Sequence, residues 1–141
     1  MPKLSTNSLS ATTKPVDEKI TINLGCVDLG QIDLLVQEGF YANRTDLIRT
    51  AIRNQLATHG EIVRQVIRRK TLALGIQHFS QADLLALQAA GEKLHIRVLG
   101  LALIAPEVSA ELALATIESI TVLGALHASP TVKAALRQRT S

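Results

Sequence analysis

Three polar residues in the segment EKITINL, residues 18–24, have side chains that suit the edges of nucleic-acid bases. Lys19, Thr21 and Asn23 alternate with branched apolar residues, so in a β-strand they would share one face. Lysine can donate to guanine O6 and N7, asparagine can pair with adenine, and threonine offers a hydroxyl and a methyl group. The pattern predicts a strand whose polar face contacts the bases of DNA.

The apolar face of the same strand predicts a dimer. Ile20, Ile22 and Leu24 point away from the polar face, and no second strand follows within hairpin distance. A strand leaves its backbone N–H and C=O groups unpaired unless a neighbour supplies partners. We therefore expect two chains to pair their strands antiparallel across a two-fold axis. A two-stranded ribbon of this kind fits the major groove.

Two helices are predicted after the strand. The first spans about residues 28–38, with Asp28 as N-cap and Gly39 in the left-handed conformation that ends many helices. The second opens at Asn43, with Asp46 completing a capping-box pattern, and ends near residue 59. The apolar residues expected in the shared dimer core are Ile20, Ile22, Leu24, Ile32, Leu35, Ile48 and Ile52.

Residues 18–56 resemble the ribbon-helix-helix domain of the MetJ/Arc/CopG superfamily of transcriptional regulators. The resemblance rests on the alternating strand, on IDLLVQEGFY in the first helix and on NRTDLIRTAIR in the second. It implies an obligate dimer whose ribbon reads operator bases. It also implies that Asn43, Arg44 and Thr45 bind a backbone phosphate, since a helix N-terminus presents N–H groups and positive potential to an anion.

The charge balance makes phosphate neutralisation modest. The chain carries a formal net charge of +3, and residues 1–60 hold six Lys or Arg and six Asp or Glu. The most basic segment is EIVRQVIRRK, residues 61–70, which is predicted to be a connecting helix. Its cations form either a solvated helix face or secondary phosphate contacts; they are Arg64, Arg68, Arg69 and Lys70.

The C-terminal half contains repeats of 24 to 25 residues. IRVLGLALIAPEVSAEL, residues 96–112, aligns without gaps to ITVLGALHASPTVKAAL, residues 120–136, with eight of 17 positions identical. A weaker copy begins at Thr71 and places Gly75 where the others have Gly100 and Gly124. Each copy predicts an apolar strand followed by a helix opened by a capping residue or by an N-terminal proline, Pro106 or Pro130. Such units favour parallel strands joined through helices.

No enzymatic motif is present, and no cofactor is expected. His59, His78, His95 and His127 are scattered, although His78 and His127 occupy similar repeat positions, and we interpret this as coincidence rather than as a metal site. The single Cys26 excludes an internal disulfide. No apolar run is long enough to span a bilayer, so we expect no membrane partner and a cytoplasmic, nucleoid-associated location.

The predicted fold class is α+β, mainly α with some β. We expect a flexible arm at residues 1–16, a ribbon-helix-helix domain at 17–60, a connecting helix at 61–70 and a β/α repeat domain at 71–141 for assembly or partner binding. The predicted function is a bacterial, sequence-specific DNA-binding regulator, a repressor that binds double-stranded DNA and itself as a homodimer or higher oligomer. The alternative is an interaction or scaffold protein, antitoxin-like, partition or polymer-forming, whose ribbon-helix-helix part mainly dimerises and whose repeats bind a protein partner.

Overall fold

Three helices follow one another in the N-terminal half of the chain. The computed structural model describes residues 17–141, so the expected flexible arm lies outside the described residues. Helix α1 spans Cys26–Gln37, α2 spans Arg44–Thr58 and α3 spans Gly60–Lys70. Each predicted helix is therefore present, with its ends within about two residues of the expected ones.

The helix ends follow the chemistry of their caps, with one correction. Helix α1 begins two residues before Asp28, with Gly25 as N-cap and no side-chain cap, so Asp28 lies in the first turn and the predicted N-cap is wrong. A carboxylate there still favours the helix, because it lies near the positive end of the helix dipole. The prediction of a left-handed Gly39 is confirmed, since its φ is +86°. Asn43 caps α2 as expected and accepts a hydrogen bond from the Asp46 N–H at 2.8 Å.

A three-stranded parallel sheet forms the second half. Strands β1 (Ala73–Phe79), β2 (Leu94–Ile104) and β3 (Ile117–His127) lie in chain order, β1-β2-β3. Helix α4 (Gln81–Ala90) connects β1 to β2, α5 (Ala110–Thr116) connects β2 to β3, and α6 (Pro130–Ala135) follows β3. A short 3-10 helix, Arg137–Arg139, comes after α6. Among the described residues these elements give a mixed α+β fold, which confirms the predicted fold class.

The hydrophobic core lies between one face of this sheet and its helices. Alternate residues of the central strand, including Ile96, Val98 and Ile104, are buried together with Leu84 of α4 and Val132 of α6. The opposite face of the sheet is only partly covered, because Leu101 in the middle is buried while apolar side chains on the outer strands are exposed. Helices α1, α2 and α3 contain no buried residue in the single chain.

The three sequence repeats occupy equivalent positions in the folded sheet. Gly75, Gly100 and Gly124 lie side by side across the three strands. Helix α6 has Pro130 at its first turn, as predicted, and Ser80 caps α4.

The predicted helix start at Pro106 is wrong. Residues 106–107 form a turn, and α5 begins four residues after Pro106. Ser109 caps α5 by accepting a hydrogen bond from the Leu112 N–H. The buried Val108 lies between the turn and the cap, so the chain first folds back onto the core and only then becomes helical.

None of the helices in the described part of the chain is both long enough and apolar enough to cross a membrane.

Candidate nucleic-acid interface

The segment predicted to read bases is exposed in the single chain. Lys19, Thr21 and Asn23 are all exposed, and residues 17–25 carry no strand, helix or turn. A strand is defined by its pairing, and the expected pairing joins two chains. The intersubunit ribbon therefore stays a prediction.

The apolar residues that alternate with these three are also exposed. Ile20 exposes 76% of its surface, Ile22 58% and Leu24 42%. Leu35 and Ile52 of the predicted dimer core are exposed as well, and Ile32 and Ile48 are half-buried. Burying a branched aliphatic side chain stabilises a protein by about 1.5–3 kcal/mol. Completing the burial of the three segment residues would contribute roughly 3–5 kcal/mol per chain on that scale. The N-terminal half of the chain therefore exposes an apolar surface that a second copy would cover.

The N-terminus of α2 has the features of a phosphate site. Asn43 is extended, with φ −164° and ψ 177°, and its side chain bonds the Asp46 N–H. The Asp46 carboxylate accepts from the Ala42 N–H at 2.9 Å. Among the described residues no acceptor bonds the N–H groups of Arg44 and Thr45. Two backbone donors at a helix N-terminus therefore remain for an anion.

Arg44, the predicted charged phosphate ligand, is held by a carboxylate of α1. Its Nε donates to Asp33 Oδ1 at 2.7 Å, and its second guanidinium nitrogen donates to Asp33 Oδ2 at 2.8 Å. These hydrogen bonds hold the pKa of Asp33 below its usual range and raise the pKa of Arg44. The bidentate pair joins α1 to the start of α2 and offsets the charge of Arg44. Its clearest role in the single chain is to position α2.

Two further arginines of α2, Arg49 and Arg53, lie beside the same helix start. An open depression of about 410 Å³ is lined by Thr45, Arg49 and Arg53, one helical turn apart, together with Ala42, Asn43 and Asp46. Neither Arg49 nor Arg53 makes an ion pair with a described residue. The signal that could have found them is their spacing of four and eight residues from Thr45, which places all three on one helix face.

The basic segment of α3 divides into paired and unpaired cations. Arg64 donates to Glu61 at 3.0 Å, and Arg68 lies 3.9 Å from the same carboxylate. Arg69 and Lys70, at the end of α3, form no ion pair within residues 17–141. Of the four predicted secondary contacts, the last two therefore carry the uncompensated charge.

The histidines do not form a metal site in the described part of the chain. His78 and His127 share a row of the sheet, but Leu103 of the central strand lies between them. His127 Nε2 instead contacts Glu18 Oε1 at 2.5 Å, so the ribbon segment lies near the sheet. Residues 17–141 contain no cluster of three or more His, Cys, Asp or Glu side chains suited to a metal ion.

Comparison with protein families matches residues 15–133 to the model of the Ribbon-Helix-Helix transcriptional regulator family. Searches of curated proteins and of solved structures gave no match. The family match covers helices α1 to α5 and all three strands of the sheet, so it extends well beyond the segment that carried the resemblance in sequence.

Proposed function

The chain belongs to the ribbon-helix-helix transcriptional regulator family, and from this premise we propose that it is a repressor that reads DNA with a ribbon built from two chains. Residues 17–60 form the DNA-binding and dimerisation domain, and residues 71–141 form a domain for assembly or partner binding. Residues 61–70 connect them. A cytoplasmic, nucleoid-associated location follows from this role.

The observation that carries the proposal is the alternation of two exposed surfaces on one short segment. Ile20, Ile22 and Leu24 leave apolar surface in water that a second chain would cover. Once they are covered, the alternate residues Lys19, Thr21 and Asn23 face outward from a two-stranded ribbon. Their side chains supply the donors, the acceptor and the methyl group that distinguish base pairs in the major groove.

The N-terminus of α2 supplies the proposed phosphate contact. The free N–H groups of Arg44 and Thr45 bind the phosphate, and Asn43 fixes the turn that presents them. Asp33 offsets the charge of Arg44. Arg49 and Arg53 therefore supply the positive charge at this phosphate site. Phosphate contacts of this kind fix the position of a protein on the duplex without reading its sequence. Arg69 and Lys70 provide secondary phosphate contacts.

A second candidate function is supported by the sheet. Two of its strands have open edges, which suits an interaction or scaffold protein whose ribbon-helix-helix part serves mainly to dimerise. The two functions differ in whether the three polar ribbon residues matter for the main activity.

The test compares DNA binding by the full chain and by Lys19→Ala/Thr21→Ala/Asn23→Ala. Fluorescence anisotropy measures affinity for DNA upstream of the chain's own gene and for a scrambled duplex. Each bidentate base contact discriminates by about 1–3 kcal/mol, so the triple variant is expected to lose specificity on the order of 100-fold or more. Binding to the scrambled duplex is expected to change little, because phosphate contacts remain.

The matched control removes three exposed polar side chains at the other end of the chain, Thr131, Lys133 and Gln138. It is expected to bind like the unmodified chain. Sedimentation velocity must show the same association state for all three proteins at the concentration of the assay. Specific binding that survives the triple ribbon change would refute DNA reading by the ribbon.

A further inference from the structure

The parallel sheet has two open edges. Strand β1 is paired only with β2 on one side, and β3 is paired with β2 on its inner side. Beside the first part of β3, Thr140 forms a bridge to Ile120, the N–H and Oγ of Ser141 donate to the Ile120 carbonyl, and Ser141 Oγ also bonds Thr121 Oγ1. At the end of β3, His127 contacts Glu18. Along the rest of that edge, residues 122–127, no strand from the described part of the chain lies beside β3. Open edges present backbone donors and acceptors to another chain.

The two edges are complementary because the strands are repeats. Gly75, Gly100 and Gly124 have φ values of +113°, +137° and +123°. The space that a Cβ would need at Gly100 is taken by the carbonyl group of Gly75, and the space at Gly124 is taken by the carbonyl group of Gly100. At Gly75 the same space is open, with no atom of residues 17–141 within 4 Å. Gly75 thus has the conformation that receives a neighbouring carbonyl group, and the Gly124 carbonyl is the equivalent group at the other edge.

We propose that β3 of one copy pairs in parallel with β1 of a second copy and continues the register of the sheet. Gly124 then lies beside Gly75 of the second copy, as Gly100 lies beside Gly75 within one chain. Thr140 and Ser141 occupy the edge at Ile120 and Thr121, so the pairing begins after them, at Val122.

The side chains along the two edges fit this contact. Leu74 is 68% exposed, Ile76 55% and Leu123 50%. The continued register places Leu74 of the second copy opposite Leu123, as Leu74 lies opposite Leu99 within one chain. Apolar cross-strand pairs of this kind stabilise sheets.

The charges at the entrance to the contact are opposite. Glu118 is exposed at the start of β3, and Arg69 and Lys70 are exposed directly before β1. None of the three forms an ion pair with another described residue. In a parallel pairing the start of β3 and the start of β1 of the second copy lie at the same end of the contact, so these opposite charges lie at one end, which favours this pairing over one that joins two like edges.

The contact is head-to-tail, so it links dimers instead of closing a pair. This part of the inference rests on the proposed function: linked dimers would occupy neighbouring operator half-sites together. Linking raises the effective concentration of the second dimer at the DNA. It would compensate for the formally neutral charge of residues 1–60.

Sedimentation velocity of the full chain without DNA tests the contact. We expect a weight-average mass that rises with concentration above that of the dimer, which is twice the chain mass of 15.2 kDa. We expect the weight-average mass to stay at that of the dimer in each of three variants, Gly75→Ala, Leu74→Lys and Leu123→Glu. Gly91→Ala is the matched control, because Gly91 also has a positive φ, +70°, and no atom within 4 Å but lies at the end of α4. It should assemble like the unmodified chain.

The double variant Leu74→Lys/Leu123→Glu decides the direction of pairing. Head-to-tail contact places the new lysine of one copy against the new glutamate of the next, so assembly is expected to return. Pairing of β1 with β1 would respond to Leu74→Lys alone, and pairing of β3 with β3 to Leu123→Glu alone. Either of these patterns, or an unmodified chain that stays dimeric at every concentration, would overturn the inference.

The ribbon dimer and the contact between β3 and β1 can be refuted independently of each other. If assembly starts from monomers and the edge variants still block it, the edge contact is supported and the ribbon dimer is refuted. Edge variants that stay dimeric are expected to bind DNA that contains one pair of half-sites as tightly as the unmodified chain does. On DNA with adjacent sites, these variants are expected to lose cooperative binding.

Discussion

Gly100→Ala is expected to destabilise the sheet more than Gly75→Ala, although both glycines have a positive φ. A methyl group at Gly100 would meet the backbone of Gly75, whose O, C and Cα atoms are its three nearest neighbours. Those atoms belong to β1 and cannot rotate away as a flexible side chain would. At Gly75 the same methyl group meets no atom within 4 Å. The two substitutions therefore share backbone strain and differ in the close approach of the strands.

The expected magnitudes follow from these two contributions. A residue held in a sparsely populated backbone region costs about 1–3 kcal/mol, and this applies to both variants. Overpacking in a well-packed region costs about 1–3 kcal/mol more, and this applies only at Gly100. We expect the free energy of unfolding to fall by about 1–3 kcal/mol for Gly75→Ala and by roughly 2–6 kcal/mol for Gly100→Ala. A small domain is stable by only about 5–15 kcal/mol, so Gly100→Ala approaches the limit of folding.

Urea denaturation followed by far-UV circular dichroism measures this difference. The measurements use a protein concentration at which sedimentation velocity shows no association beyond the dimer. Gly30→Ala is the control, because Gly30 lies inside α1 with no atom within 4 Å of the added methyl group. It is expected to stabilise the chain by about 0.5–1 kcal/mol. Equal losses at Gly75 and Gly100, within about 0.5 kcal/mol, would refute the close approach of the strands.

Three further outcomes are expected. Asn43→Ala removes the cap of α2 and should lower the free energy of unfolding by about 1 kcal/mol, with Asn43→Asp recovering most of it, as measured by urea denaturation. The Ser80 backbone N–H donates to the Asp83 carboxylate at 3.1 Å, and this hydrogen bond, with a smaller contribution from the Ser80 side chain, lowers the pKa of Asp83 from its ordinary value of 3.8. A depressed pKa in the folded state stabilises the protein above pH 3.8, and that stabilisation is lost as the pH falls through the folded pKa. Asp83→Asn removes the carboxylate and should therefore flatten the loss of stability with acid, and an unchanged acid limb would contradict this. Arg49→Gln/Arg53→Gln should weaken binding to specific and scrambled duplexes alike and reduce the slope of log K against log salt by about 2, whereas an unchanged slope would remove both residues from the phosphate site.

Local features of the fold were predictable from the sequence because they depend on neighbouring residues. The cap at Asn43, the left-handed Gly39 and the helix after Ser80 each arise from a side chain and the backbone within a few positions. The β/α repeats were visible as well, because each copy must repeat the same apolar and glycine positions. The Asp28 and Pro106 predictions failed where a helix could begin at more than one nearby residue.

The candidate site was predictable only in its residue types. Alternation predicts that Lys19, Thr21 and Asn23 share one face, which stays a prediction, and the capping pattern located the start of α2. The partner of Arg44 was not predictable, because Asp33 lies eleven residues earlier and on another helix. The grouping of Arg49 and Arg53 with Thr45 depends in turn on which face of α2 the fold leaves open.

The sequence by itself determined the alternating segment, the helices, the helix caps and the three repeat units. The tertiary structure decided how those units meet. It placed Gly75, Gly100 and Gly124 in one row, paired Arg44 with Asp33, and left the place beside Gly75 open at the edge of the sheet. The physical reason is distance along the chain: caps and periodicity act over a few residues, whereas strand register and ion pairs between elements depend on packing the whole chain.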